Sequence, residues 1–207
     1  MGVFTSSNHQ AGHNIHAGYG TGSRESLGLL LKVLNEHRPG VLEDLNRVAH
    51  FAIATAEGMG LPESEVERVE IAARLHDVGK LAIPDAILTK AAPLDGNEWA
   101  IMRTHSEIGQ RILAASPSLT HAAKLVRHHH ERYDGFGYPD RLAGEDIPIG
   151  AAIIAVCAAF VAMMKHRPFS DAITVSEAIA ELRRYSGTQF DPRVVDVFCE
   201  LLRMARS

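Results

Sequence analysis

From Arg24 onward the apolar residues recur about every 3.6 positions, and that spacing excludes most folds before any single residue is considered. Val41, Leu45, Val48, Ala52 and Met59 trace one stripe, and Val66, Val69, Ala73 and Leu75 trace another, as helices that bury one face require. No segment shows the period-two alternation of a strand. Helix starts are punctuated accordingly. Asp95 to Glu98 (DGNE) and Thr174 to Glu177 (TVSE) each set a capping side chain three residues before a glutamate. Ser116-Pro117 and Asp191-Pro192 pair an N-cap residue with proline at the first helical position. The spacing predicts an all-α bundle of about eight helices with short loops and one long irregular connection, Asp134 to Pro148. A compact domain usually keeps such a loop for function.

Met1 to Ser23 contains no Asp, Glu, Lys or Arg and mixes Gly, Ser, Asn and His, a composition that cannot offset its ordering entropy by apolar burial. It is read as a disordered leader, residues 1–23, ahead of one domain, residues 24–207. His9, His13 and His16 are assigned to a linker or expression remnant rather than to a metal site. A net charge of -4 argues against a nucleic-acid polymer as partner, because such binding relies on a broad basic surface. Cys157 and Cys199 form neither a CxxC pair nor a disulfide framework, which points to core positions in a reducing, cytoplasmic setting. The apolar run Ala151 to Met164 is shorter than the ~20 residues a bilayer requires and is read as a buried helix. No signal peptide is evident. Leu27, Leu30, Leu31 and Leu34 form a further stripe; a core contact, a signalling helix and a homodimer contact all remain open for it.

Chemistry gathers in three places. His76 and Asp77 stand side by side at the end of one helical segment, His105 lies in a separate helix, and His128, His129 and His130 follow in the next. Alone, a His-Asp pair is weak evidence. Several imidazoles with one aspartate suit a divalent transition metal held by mixed N and O donors, and an aspartate can bridge two such ions. This is a hydrolytic arrangement suited to phosphoryl chemistry.

The ordered elements LHDVGKLAIPDAIL, EWAIMRTHSEIG, HHERYDGFGYP, IPIGAAIIAV, HRPFSDA and GTQFDP resemble those of the HD-GYP subgroup of the HD metal-dependent phosphohydrolases. The resemblance implies an HD-domain helical bundle and hydrolysis of the bacterial messenger cyclic di-GMP to linear pGpG or GMP, with iron or manganese as cofactor. It also implies metal ligands at His76, Asp77, His105, His129 and His130, with Asp77 as the bridge. Lys80 corresponds to a lysine that steadies charge on the phosphoryl group. Arg167 corresponds to a phosphate-binding arginine, and Gly137, Tyr138 and Pro139 to a substrate-facing loop. Glu131 is expected to accept a hydrogen bond from a ligand imidazole and fix its tautomer. His128 falls at a variable position and is expected to face solvent or a carboxylate.

Two positions depart from that pattern. A family histidine is Asp44 here, still a conceivable ligand but shorter and charged, and a family aspartate is Ala158. The family arginine earlier in the same helix is Ala152, and a second family aspartate is Val161. A methyl group binds no metal, and an unpaired carboxylate inside a buried helix would be costly. One well-formed metal site and a second that is weak or absent are therefore expected. Two classes of function follow: a working cyclic di-GMP phosphodiesterase, or an impaired domain that binds nucleotide or a signalling partner.

Overall fold

The computed structural model describes residues 21–165 and 172–205, so Arg167 and all but the last three residues of the expected leader lie outside the described residues. Thr21, Gly22 and Ser23 belong to the first helix instead of the leader. The helices are α1 (Thr21–His37), α2 (Val41–Gly58), α3 (Glu63–Leu75), the single turn α4 (Asp85–Leu88), α5 (Gly96–Arg103) and α6 (His105–Ala114). They continue with α7 (Thr120–His128), α8 (Ile149–Met163), α9 (Val175–Arg184) and α10 (Pro192–Met204), with short 3-10 turns at Val78–Ala82 and Gly144–Asp146. No strand occurs among the described residues, as the apolar period requires; the nearest approach is one isolated bridge, Ser186 with Phe190.

Local chemistry accounts for the boundaries. Asp95 and Thr174 both complete capping boxes with Glu98 and Glu177, and Asp191 caps α10 with Pro192 in its first turn. Ser116-Pro117 does not start a helix. The Ser116 hydroxyl lies 3.0 Å from the Ser118 hydroxyl and 3.4 Å from that of Ser26 on α1. Its carbonyl closes a turn onto Leu119 and Thr120, and α7 begins there.

α8 runs through the middle of the bundle, packed on α2, α3 and α7, and nine of its residues are buried. Phe51, Phe160 and Phe198 meet edge to face across α2, α8 and α10 at 5.1 to 5.7 Å. Truncating a buried aromatic such as Phe160 would cost about 3–5 kcal/mol. Leu27 and Leu34 are buried while Leu30 and Leu31 pack against the same core, so the α1 stripe serves this domain's own interior. Cys157 and Cys199 are free and buried. No described helix is long and apolar enough to cross a membrane.

Candidate metal centre

Three helix ends converge at one place. His76 caps the C-terminus of α3, His105 opens α6 immediately after α5, and His129 caps the C-terminus of α7. The last carbonyls of a helix have no intrahelical donor, and each of these imidazoles uses one of them. His76 Nδ1 lies 2.8 Å from the Ala73 oxygen, His105 Nδ1 2.7 Å from that of Met102, and His129 Nδ1 2.7 Å from that of Val126. A carbonyl oxygen only accepts, so each Nδ1 carries the proton and each Nε2 presents a lone pair.

Those lone pairs point at Asp77. His105 Nε2 is 3.7 Å from Asp77 Oδ1, and His76 Nε2 is 3.7 Å from Asp77 Oδ2. Donor atoms of Asp77, His105, His129 and His130 all lie within 4.8 Å of one another. His105 Nε2 and His129 Nε2 are buried without a hydrogen-bond partner, which costs about 1–3 kcal/mol for each such group and marks them as donors to a cation. The residues present therefore fit one divalent metal with mixed N and O ligands.

Burial pushes the pKa values of His129 and His130 well below the imidazole norm, helped by the surrounding imidazoles, and it lowers that of His105 as well. All three are held neutral, the form that binds metal. Burial alone would raise the pKa of Asp77, but the Lys80 ammonium, followed by His76 and His105, holds it well below the usual carboxylate range. Lys80 Nζ donates to Asp77 Oδ2 at 2.7 Å.

The centre is held by close backbone packing. A Cβ on Gly79 would fall 1.9 Å from the His105 carbonyl oxygen and 2.7 Å from the Gly109 nitrogen. The 3-10 turn after Asp77 thus rests directly on α6. Gly137 is equally constrained, since a Cβ there would meet the Arg132 nitrogen at 2.3 Å. That packing seats the loop so that Tyr138 stacks on His130 at 4.8 Å and 22°, and the Tyr138–Pro139 peptide is cis. The loop is tied to the segment before α10 by Tyr133 and Asp134, whose N–H groups donate to the Gln189 and Thr188 carbonyls.

Two cavities flank the centre and share His76, Asp77, Lys80, Ala158 and Ala162 in their walls. The first, about 320 Å³, extends toward Arg132 and Gln189, and the second, about 470 Å³, toward Arg38, Asp44 and Lys165. Ala158 and Ala162 of α8 line both cavities, while Ala155 and Ala159 line the first; position 158 is where the family pattern has a carboxylate.

The residues expected from the sequence separate into groups. Asp77, His105, His129 and His130 meet, and His76 stands at the edge, its ring 5.2 Å from that of His129. Asp44 lines the second cavity but is not in the donor group; its carboxylate is held by Lys165 Nζ at 2.5 Å. Glu131 is buried, yet its hydrogen bond comes from the Asp140 N–H and its nearest imidazole is His128, not a member of the donor group. His128 turns to the carboxylates of Glu131 and Asp140 and is buried rather than solvent-facing. Sequence reasoning missed the packing role of Gly79. It also missed Lys165 and Arg103, whose guanidinium lies 5.5 Å over the Tyr138 ring. An isolated surface-type cation leaves no spacing signal, and only the fold brings these two to the site.

The HD domain family model matches residues 28–194. Among curated proteins, the cyclic di-GMP phosphodiesterase response regulator RpfG of Xanthomonas campestris is 43% identical over 175 residues, covering 84% of this chain and 46% of that protein. A cyclic di-GMP phosphodiesterase of Thermotoga maritima is 40% identical over 175 residues, 83% of this chain and 48% of the other. The 3'3'-cGAMP-specific phosphodiesterase 2 of Vibrio cholerae is 42% identical over 158 residues, 75% of this chain and 30% of the other. The chain thus spans about half the length of these relatives, or less. Among solved structures, the cyclic GMP-AMP specific phosphodiesterase V-cGAP3 of V. cholerae superposes with a TM-score of 0.68 at 21% identity, over 91% of this chain and 50% of that one. The HD domain of L. monocytogenes PgpH in complex with cyclic-di-AMP gives 0.61 at 18% identity, over 86% and 96%. At such identities the likeness concerns the fold.

Proposed function

We propose, since this chain belongs to the HD domain family and carries the sequence elements of its HD-GYP subgroup, that it is a metal-dependent phosphodiesterase hydrolysing cyclic di-GMP to linear pGpG or GMP. The observation that carries this reading is the pair of buried, partnerless Nε2 atoms of His105 and His129, grouped with His130 and Asp77. Asp77, His105, His129 and His130 would hold a divalent cation, iron or manganese, which would supply Lewis acidity at the phosphodiester.

The chain's own residues do the rest. Asp77 stays ionised beside Lys80, and an incoming phosphate offers that ammonium a second anion, steadying charge that develops on the phosphoryl oxygens. Tyr138 stacks on His130 and lines a third cavity with Arg103, Gly137 and Pro139, and a purine reaching that side would pack against its ring. The two flanking cavities give room on either side of the scissile bond, and Arg167 is retained as a phosphate ligand from its sequence position. Relatives named as cyclic di-GMP phosphodiesterases support this substrate, and the one named for 3'3'-cGAMP makes that dinucleotide the competitor to assay.

A second ion does not fit as well. On that flank Asp44 is engaged by Lys165 and α8 offers the methyl group of Ala158, so one ion per cage is the expected complement. The test is turnover of cyclic di-GMP and 3'3'-cGAMP with Mn2+ or Fe2+, beside an Asp44→His, Ala158→Asp double variant. Turnover by the native chain that falls with His105→Ala is the expected result. Turnover by the double variant alone would instead make the native chain an impaired, nucleotide-binding module.

A further inference from the structure

A second group of donors lies beside the cage and shares no residue with it: His128, Glu131 and Asp140, whose ligand atoms also fall within 4.8 Å of one another. His128 and Glu131 are 6% and 4% exposed, and His128 Nδ1 and Glu131 Oε2 have no hydrogen-bond partner. Two adjacent buried polar atoms without partners need an explanation. His128 Nδ1 is 3.6 Å from Glu131 Oε1 and 3.5 Å from Asp140 Oδ2. Both distances exceed the span of an N–H···O bond, about 2.7–3.2 Å. They lie close to the separation of neighbouring donors around a tetrahedral zinc, roughly 3.3 Å for bonds of about 2.0–2.1 Å. The Asp77 cage shows similar separations of 3.7 Å.

We propose that His128, Glu131 and Asp140 bind a zinc-class divalent cation that clamps the two ends of the Tyr138 loop. One imidazole and two carboxylates with an open fourth position suit such an ion better than calcium or magnesium, which seek six or more oxygens. Glu131 Oε1 accepts the Asp140 N–H at 2.7 Å and keeps its second lone pair for a cation, while Oε2 is buried with no partner at all. The Asp140 carboxylate is gripped by Arg127 through Nε at 2.7 Å and Nη2 at 2.6 Å. That guanidinium neutralises one of the two carboxylates and fixes its orientation from outside, as outer partners of metal ligands do. Glu131 precedes the loop and Asp140 follows Pro139, so an ion between them closes the loop at its neck while Tyr138 stays stacked on His130.

Protein stripped with chelator, reloaded with Zn2+ and dialysed is counted for metal by mass spectrometry, as wild type, His128→Asn and Asp140→Asn. Asp140 is exposed at the surface, so its amide variant keeps the fold, which circular dichroism verifies. Each variant is expected to hold one Zn2+ fewer per chain than wild type, whereas His105→Ala loses only the cage ion. The two sites, and hence the failure of either assignment, are read separately. A wild-type count matched by either clamp variant overturns the proposal.

Discussion

Gly79→Ala is the smallest change that tests how the centre is built. The added methyl would meet the His105 carbonyl oxygen at 1.9 Å, short by about 1.1 Å of the 3.0 Å that real Cβ atoms keep. Its other neighbour, the Gly109 nitrogen at 2.7 Å, is also backbone, so no side-chain rotation relieves the clash. α6 must slide away from the 3-10 turn, carrying His105 at its first position with it. Metal–ligand bonds tolerate about 0.2 Å, several times less than the shift required, and one of four donors is lost. Overpacking of this kind costs about 1–3 kcal/mol, which for a domain of this size lowers the melting temperature by roughly 2–12 °C. Thermal unfolding with and without Mn2+, together with metal content, reads both effects. Gly96→Ala, where nothing lies within 4 Å, is the control and should change neither. A Gly79→Ala protein that melts with wild type and holds as much metal would refute the idea that close backbone contact places His105.

The metal-free protein should lose stability below pH 6.5. His105, His129 and His130 have folded pKa values below the unfolded value, which is about 6.5. Above that pH all three are neutral in both states; below it the unfolded chain gains protons that the folded chain refuses, at up to about 1.4 kcal/mol per pH unit for each histidine. Asp77, whose folded pKa is depressed, adds its loss only below about pH 4. Urea midpoints in EDTA at pH 7.5, 6.5 and 5.5 check this, and a flat profile contradicts it. A purine packed on the Tyr138 ring would gain about 0.5–1.5 kcal/mol. Tyr138→Ala should therefore raise KM for the dinucleotide up to about tenfold while Tyr138→Phe leaves it nearly unchanged. Equal losses in both variants would assign the role to the hydroxyl instead.

Helices were legible because burial on one face writes itself into spacing: Leu45, Val48 and Ala52 are all core residues. The DGNE and TVSE caps were legible because their bonds are local. Ser116 was misread because a distant partner, Ser26, competes for its hydroxyl. At the site, the histidines announced themselves by type and order, and Ala158 by what it replaces. The Asp44–Lys165 pair spans 121 residues and the Gly79–His105 contact joins two separate elements. Neither leaves a periodic or local trace.

The imidazoles that cap Ala73, Met102 and Val126 draw their aim from peptide groups, which every amino acid supplies alike. Exchanging residues 73, 102 or 126 for others that pack as well leaves the carbonyl where it was, although Ala73 and Val126 are fully buried and admit few such exchanges. The opposite half of the centre has no such insurance: it depends on the side chains that α2 and α8 carry at single positions, Asp44 and Ala158 among them.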